Sequence, residues 1–242
     1  MEITKHHAWE CTTDEARKIQ NELSQAIVLR DKLALTEIRY IAGIDNAYTM
    51  RGNQGWVLGV VVILRYPGMD VVEVQTAVLP VRFPYVPGLL SFREAPAILA
   101  ACKKTMCEPD ILMFDGQGYA HPRRIGLASH LGLVLNKPSI GVAKSRLVGV
   151  YEEPGPMRGD FSKLSDHQTG ELIGYVLRTK MMRKPIFVSP GHQVGFETAL
   201  QFTLNCLREN HSLPEPVRQA HLMVTKMARE FQVGDVSEKL IQ

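Results

Sequence analysis

The feature that most constrains this chain is a change of pattern part-way along it. Three strand-like apolar runs come first, Tyr40–Ile44, Trp56–Arg65 and Val71–Leu79, punctuated by Asn53-Gln54-Gly55 and Pro67-Gly68. Apolar runs divided by turn residues suit an antiparallel meander. Beyond them the period switches. Ala97–Met106 and Ile125–Leu135 carry helical spacing and alternate with the short runs Ile111-Leu112-Met113-Phe114 and Ser139–Val142. A run that is apolar at every position, as Ile111–Phe114 is, suits a strand covered on both faces. Hairpins followed by β-α-β-α-β order predict one mixed α/β sheet with helices on its faces.

The flanking segments fit a single domain spanning residues 1–242. In the first 32 residues, Ala16, Ile19, Leu23, Ala26 and Ile27 recur at helical spacing behind Thr12-x-x-Glu15, a capping-box pattern, which predicts an N-terminal helix packed on the rest. Glu152–Asp160 is rich in Pro and Gly and reads as a surface loop. Ala199–Leu207 and Val217–Phe231 read as late helices, with Pro216 suited to a first turn. Hydrophobic residues at 45% and charged residues at 22% supply a full core and exclude disorder as the main state. The longest apolar run, Val57–Leu64, falls far short of the roughly 18–20 residues a membrane helix needs.

The N-terminal MEITKHHAWE has no apolar core, so no secretory signal is expected. Cys11, Cys102, Cys107 and Cys206 form no CxxC, which points to free thiols in a reducing cytoplasm. Twenty-eight Lys and Arg against 25 Asp and Glu give a net charge of +3, which permits a nucleic-acid partner without arguing for one.

Two carboxylates stand at informative places. Asp45 closes the run IAGID and Asp115 closes ILMFD. In open α/β sheets the carboxyl ends of strands are where ligands bind. Two carboxylates converging there repel unless a cation lies between them, and oxygen ligation by a few carboxylates suits Mg²⁺. On pattern alone, each Asp reads equally well as a turn cap. Glu94 has its own local explanation, since Ser91-x-x-Glu94 is a capping-box pattern. Pro96 would then fall inside the helix at the loss of a hydrogen bond, which leaves Glu94 free to face a site.

Four further segments complete an ordered set: Pro84-Tyr85-Val86-Pro87-Gly88 before SFRE, Asp115-Gly116-Gln117-Gly118 running into His121-Pro122-Arg123-Arg124 and Gly126, Gly141-Val142-Ala143-Lys144, and Leu213-Pro214-Glu215-Pro216 leading into His221. In this order and spacing, over roughly residues 40–225, the chain closely resembles the endonuclease V family, the deoxyinosine 3′-endonucleases. The resemblance implies a ribonuclease H-like fold, with three antiparallel strands, then parallel strands, and helices on both faces. It implies a Mg²⁺-dependent repair nuclease, with Mn²⁺ as a substitute. Such an enzyme recognises deoxyinosine in DNA and hydrolyses the second phosphodiester on its 3′ side, leaving 3′-OH and 5′-phosphate. Some members act on inosine-containing RNA. The other readings are a resolvase or excision-type nuclease of the same fold, which would lack the Tyr85 and Gly-rich loops, or a non-cleaving nucleic-acid binding module, which would lack a carboxylate.

The resemblance also carries roles onto residues. Asp45, Glu94 and Asp115 are implied as the acidic metal-binding set, which His221 completes, and Lys144 suits the phosphate. His121 contacts base or phosphate, or orders its Gly-rich loop. Tyr85, stiffened by two prolines, is implied as the wedge that supports an extruded base. Gly88, Gly116, Gly118 and Gly126 let backbone approach a flat base, with Leu90 as an apolar wall. Arg123 and Arg124 suit the nucleic-acid backbone. Residues 1–39 and 152–188 match no motif, no catalytic role is assigned to Gly191-His192, and His6-His7 reads as incidental.

Overall fold

A computed structural model describes residues 1–209 and 211–233, so the last nine residues of the expected domain lie outside it. The meander forms from β1 (Tyr40–Arg51), β2 (Gln54–Arg65) and β3 (Asp70–Pro80), paired antiparallel throughout. In β2 every residue from Val57 to Leu64 is buried, because helices cover both sides of the sheet. Next come α2 (Leu90–Lys103), β4 (Ile111–Asp115), α3 (Leu127–Leu135) and β5 (Ser139–Ala143), with β4 parallel to both β1 and β5.

The sheet then continues with β6 (Phe161–Ser165), β7 (Leu172–Leu177) and β8 (Ile186–His192), in the order β3-β2-β1-β4-β5-β8-β7-β6. On one face α2 and α3 pack Ile98, Leu99, Leu131 and Val134 against Ile44, Ile63 and Phe114. On the other, α4 (Phe196–Asn205) and α5 (Glu215–Val233) pack Phe202, Val217, Val224 and Phe231 against Ile41, Val62 and Met113. This is the mixed sheet with helices on both faces that the sequence leads one to expect.

The N-terminal helix α1 (Thr13–Ser24) has the capping box in place: Thr12 Oγ1 accepts from the Glu15 N–H, and Glu15 accepts from the Thr12 N–H. Ala16 and Ile19 pack against Phe83, Leu89 and Phe92, so α1 rests on the Pro84–Gly88 loop and the start of α2.

Three boundaries differ from expectation, each for a physical reason. β1 does not end at Ile44 but runs on to Arg51. Its ladder with β4 stops at Ile44↔Phe114 while its ladder with β2 continues to Arg51↔Gln54. Asp45 is therefore the first residue beyond the parallel pairing and not the last of a strand. Helix α2 starts at Leu90 and carries Pro96 inside it. Burial of Phe92, Ala95, Ile98 and Leu99 outweighs the lost backbone hydrogen bond. No side chain caps its first turn: Ser91 Oγ bonds to His130 Nδ1 at 2.9 Å instead. Finally, the hairpin β6–β7 and strand β8 were not expected at all, whereas residues 151–160 lack regular structure, as the sequence suggests.

Candidate active site

Because β1 and β4 run parallel in register, Asp45 and Asp115 emerge side by side where their ladder ends. Helix α5 crosses the same strands and delivers His221, and Lys144 follows the last residue of β5. His221 Nδ1 lies 2.9 Å from Asp45 Oδ2 and 4.0 Å from Asp115 Oδ2. Lys144 Nζ lies 2.5 Å from Asp115 Oδ2 and 3.2 Å from His221 Nδ1. One ligating atom from each of Asp45, Asp115 and His221 falls within 4.8 Å of the others, a donor set that fits a divalent cation.

The electrostatics agree with that fit. Burial, with the neighbouring Asp115 charge as the next cause, raises the pKa of Asp45 to about 6, and the hydrogen bonds from His221 and Asn46 offset it only in part. Glu94 projects from α2 and is pushed up to about 7, again chiefly by burial. It stands outside the three-atom cluster, held by Asn46 Nδ2 on its Oε2 at 3.0 Å, while the Asn46 N–H donates to Asp45 Oδ1 at 2.7 Å. Asn46 thus links the two acids.

These groups line a cavity of about 490 Å³. Its wall includes Tyr85, Gly88, Leu90, Gly116, His121 and Gly126 together with Asp45, Glu94, Asp115, Lys144 and His221. Tyr85 is 69% exposed, so its ring is not packed on its own domain. Gly88 sits at φ +78°, a conformation side chains rarely adopt.

Gly118, Arg123 and Arg124 are not on that wall. Gly118 is needed for packing, since a Cβ there would collide with the Pro190 carbonyl of β8, and its N–H donates to Ser189 Oγ at 2.9 Å. Arg123, expected at a phosphate, is turned inward: Nε donates to Gln20 Oε1 and Nη2 to the Gly88 carbonyl, each at 2.6 Å. Arg124 is engaged by Asp166 at 2.9 Å and Glu171 at 2.7 Å. Glu171 also accepts from the Tyr119 hydroxyl at 2.7 Å, so hairpin β6–β7 braces the loop that follows Asp115.

His121 has both ring nitrogens committed. Nδ1 accepts from the Arg123 N–H at 3.1 Å, so Nε2 carries the proton and donates to the Gly88 carbonyl at 3.0 Å. Burial, then Arg123, lowers its pKa to about 4, so the ring is neutral at pH 7. Of the roles open to His121, the geometry favours ordering: it fastens the Gly-rich loop to the Tyr85 loop.

Gln20, His130 and His7, near the cavity, carried no functional signal in the sequence, where Ser91 reads only as a capping residue. Gln20 and Ser91 line the cavity, and Ser91 leads to His130 and then His7, whose Nε2 lies 2.8 Å from His130 Nε2. His7, read as incidental, is stacked on His130 and against Trp9. Only Thr12-x-x-Glu15, by fixing the phase of α1, pointed toward the placement of Gln20.

The family model for endonuclease V matches residues 21–222. Curated relatives include endonuclease V of Dictyoglomus turgidum, 45% identical over 88% of this chain and 90% of its own length. Endonuclease V of Methanothrix thermoacetophila is 44% identical over 92% and 95%. Among solved structures, the Bacillus subtilis endonuclease V superposes with a TM-score of 0.92 at 30% identity, covering 97% of this chain and all of the other. The Ciona intestinalis endonuclease V, bound to a 24mer DNA containing an inosine followed by a ribo-adenosine, gives 0.77 at 28%, covering 90% and 98%. With an acidic and histidine cluster at the end of the central parallel strands, and relatives of this identity over nearly the whole chain, the protein belongs to the endonuclease V family of nucleases.

Proposed function

We propose that this nuclease recognises deoxyinosine in DNA and hydrolyses the second phosphodiester bond on its 3′ side in a Mg²⁺-dependent reaction, leaving 3′-OH and 5′-phosphate. Inosine-containing RNA is a further substrate. The observation that carries the reading is the convergence of Asp45, Asp115 and His221 in one cavity with the exposed Tyr85. The Ciona relative, bound to inosine-containing DNA, supports the substrate class.

Asp45, Asp115 and His221 would hold the divalent ion, with Glu94 as the further acid on the same wall. The ion supplies charge neutralisation at the phosphate and a more acidic bound water. Lys144 Nζ, resting on Asp115, is within reach of the same phosphate, where it offsets the negative charge that builds as the bond breaks. Tyr85 enters the stack as the base leaves it, offsetting an extrusion cost of a few kcal/mol. The Gly88, Gly116 and Gly126 backbone and Leu90 then enclose a flat base closely.

The test is electrophoresis of a labelled duplex carrying one deoxyinosine, with and without Mg²⁺. Cleavage at the second 3′ bond only with metal is expected. Asp45→Asn or Asp115→Asn should abolish cutting and leave binding of the same duplex largely intact. Full cleavage by either variant in Mg²⁺ overturns the metal assignment.

A further inference from the structure

We propose that Gln20 is a specificity-determining residue: its side-chain amide N–H donates a hydrogen bond to the 6-oxygen of the extruded purine and so separates a 6-oxopurine from adenine. The inference rests on the inosine reading above and adds a side-chain reader to a pocket otherwise walled largely by backbone.

Gln20 lies on α1 and is 1% exposed, yet it stands on the cavity wall with Tyr85, Gly88 and His121. The direction of its amide follows from chemistry. Arg123 is a donor only, so the group facing Arg123 Nε at 2.6 Å is the oxygen, Oε1. That leaves the nitrogen end with two donors, and Nε2 makes no hydrogen bond to a described residue. Nε2 is not among the side-chain atoms sealed from solvent without a partner, and Gln20 is otherwise buried, so this donor opens on the cavity that the residue lines. A ligand in the cavity supplies the missing acceptor.

The amide is also held stiffly. Arg123 is fixed at its other end by the Gly88 carbonyl, which accepts from His121 Nε2 as well. Gln20, Gly88 and His121 on the wall are tied together through Arg123 behind it, so the amide is held in place before the base arrives.

The chemistry selects the base. Hypoxanthine presents an acceptor oxygen at position 6, and adenine presents an amino donor. A fixed donor pairs with the first and faces a second donor with the other, which leaves both unpaired. Guanine shares the oxygen, so Gln20 does not reject it; that falls to the space around the 2-position.

Gln20→Glu is the discriminating variant. A carboxylate keeps an oxygen on Arg123 and replaces the donor by an acceptor. Binding is measured by fluorescence anisotropy on single strands carrying deoxyinosine, deoxyadenosine or deoxynebularine, the last a purine with no substituent at position 6. The parental protein should bind inosine best. In Gln20→Glu the inosine affinity should fall at least tenfold, while nebularine affinity changes less than twofold. Gln20→Met, which removes the donor without adding charge, should likewise erase the preference for inosine over nebularine. An equal loss on inosine and nebularine, or an unchanged preference in both variants, overturns the role of Gln20. A parental protein with no preference for inosine over adenine overturns the substrate reading, and Gln20 with it.

Discussion

At the residue scale, buried histidines do the unexpected work. His130 is fully buried, with Ser91 Oγ on Nδ1 and His7 on Nε2. His7 Nδ1 can only donate to the Ala8 carbonyl, 2.9 Å away, so its Nε2 must accept. The proton order then runs from Ser91 to His130 to His7 to Ala8, with each ring neutral. His121 is neutral too, through its burial and then the Arg123 charge. Its folded pKa of about 4 lies below its unfolded value near 6.5, so its contribution to stability is present above about pH 6.5 and is lost as pH falls toward 4. The shift corresponds to roughly 3 kcal/mol. Thermal unfolding at pH 7 and at pH 4.5 should therefore show a lower midpoint in acid for the parental protein. The drop should be smaller for His121→Gln, which keeps a donor for Gly88 but does not titrate. An equal drop in both would remove His121 as its source. None of this was legible from spacing. His7 and His130 are 123 positions apart, and a tautomer is decided by partners that only the fold brings near.

At the element scale, legibility followed composition. β4 and β5 were readable because Ile111–Phe114 and Ile140–Val142 are buried on both faces and apolar throughout. β6, with Ser162, Lys163 and Ser165, is a polar edge strand and offers no such run. β8 hides behind Pro190, which ordinarily argues against a strand. Here it pairs with Ile140 beside a register shift, where a missing N–H is tolerated. The Tyr85 loop was readable from its two prolines, but what anchors it was not: α1 underneath, and His121 and Arg123 on the Gly88 carbonyl. A loop braced in this way holds the exposed Tyr85 stiffly, as the proposed wedge role requires. Tyr85→Ala should weaken binding to duplex inosine DNA roughly ten- to a hundredfold, from the about 1–3 kcal/mol of a base–aromatic stack. It should weaken binding to single-stranded inosine DNA much less, because less stacking and pairing must be broken there. Titrations on matched duplex and single-stranded probes decide it: equal losses would make Tyr85 a general contact and not a wedge.

At the scale of the whole molecule, the fold holds like charges together against their preference. Asp45 comes from β1, Glu94 from α2, Asp115 from β4 and His221 from α5, so the cluster closes only when the meander, the parallel strands and the last helix are all in place. Asp45 and Glu94 have folded pKa values of about 6 and about 7, above their unfolded values near 4. Groups shifted in this direction contribute stability that is present below about pH 4 and lost as pH rises through 6 and 7, so the metal-free protein carries the full strain of the cluster at pH 8. A divalent cation bound only by the folded state relieves that strain and stabilises by mass action, about 2.7 kcal/mol at a hundred times Kd. For a chain of 242 residues this corresponds to a rise in Tm of roughly 5–10 °C. Asp45→Asn removes one of the crowded charges, so its metal-free form at pH 8 should melt at or above the parental midpoint. The same change should abolish most of the response to added Mg²⁺ or Mn²⁺. Scanning calorimetry with chelator and with excess metal separates the cases. A parental protein whose midpoint ignores both ions, or an Asn variant that responds as fully as the parent, would mean that these carboxylates do not hold the cation.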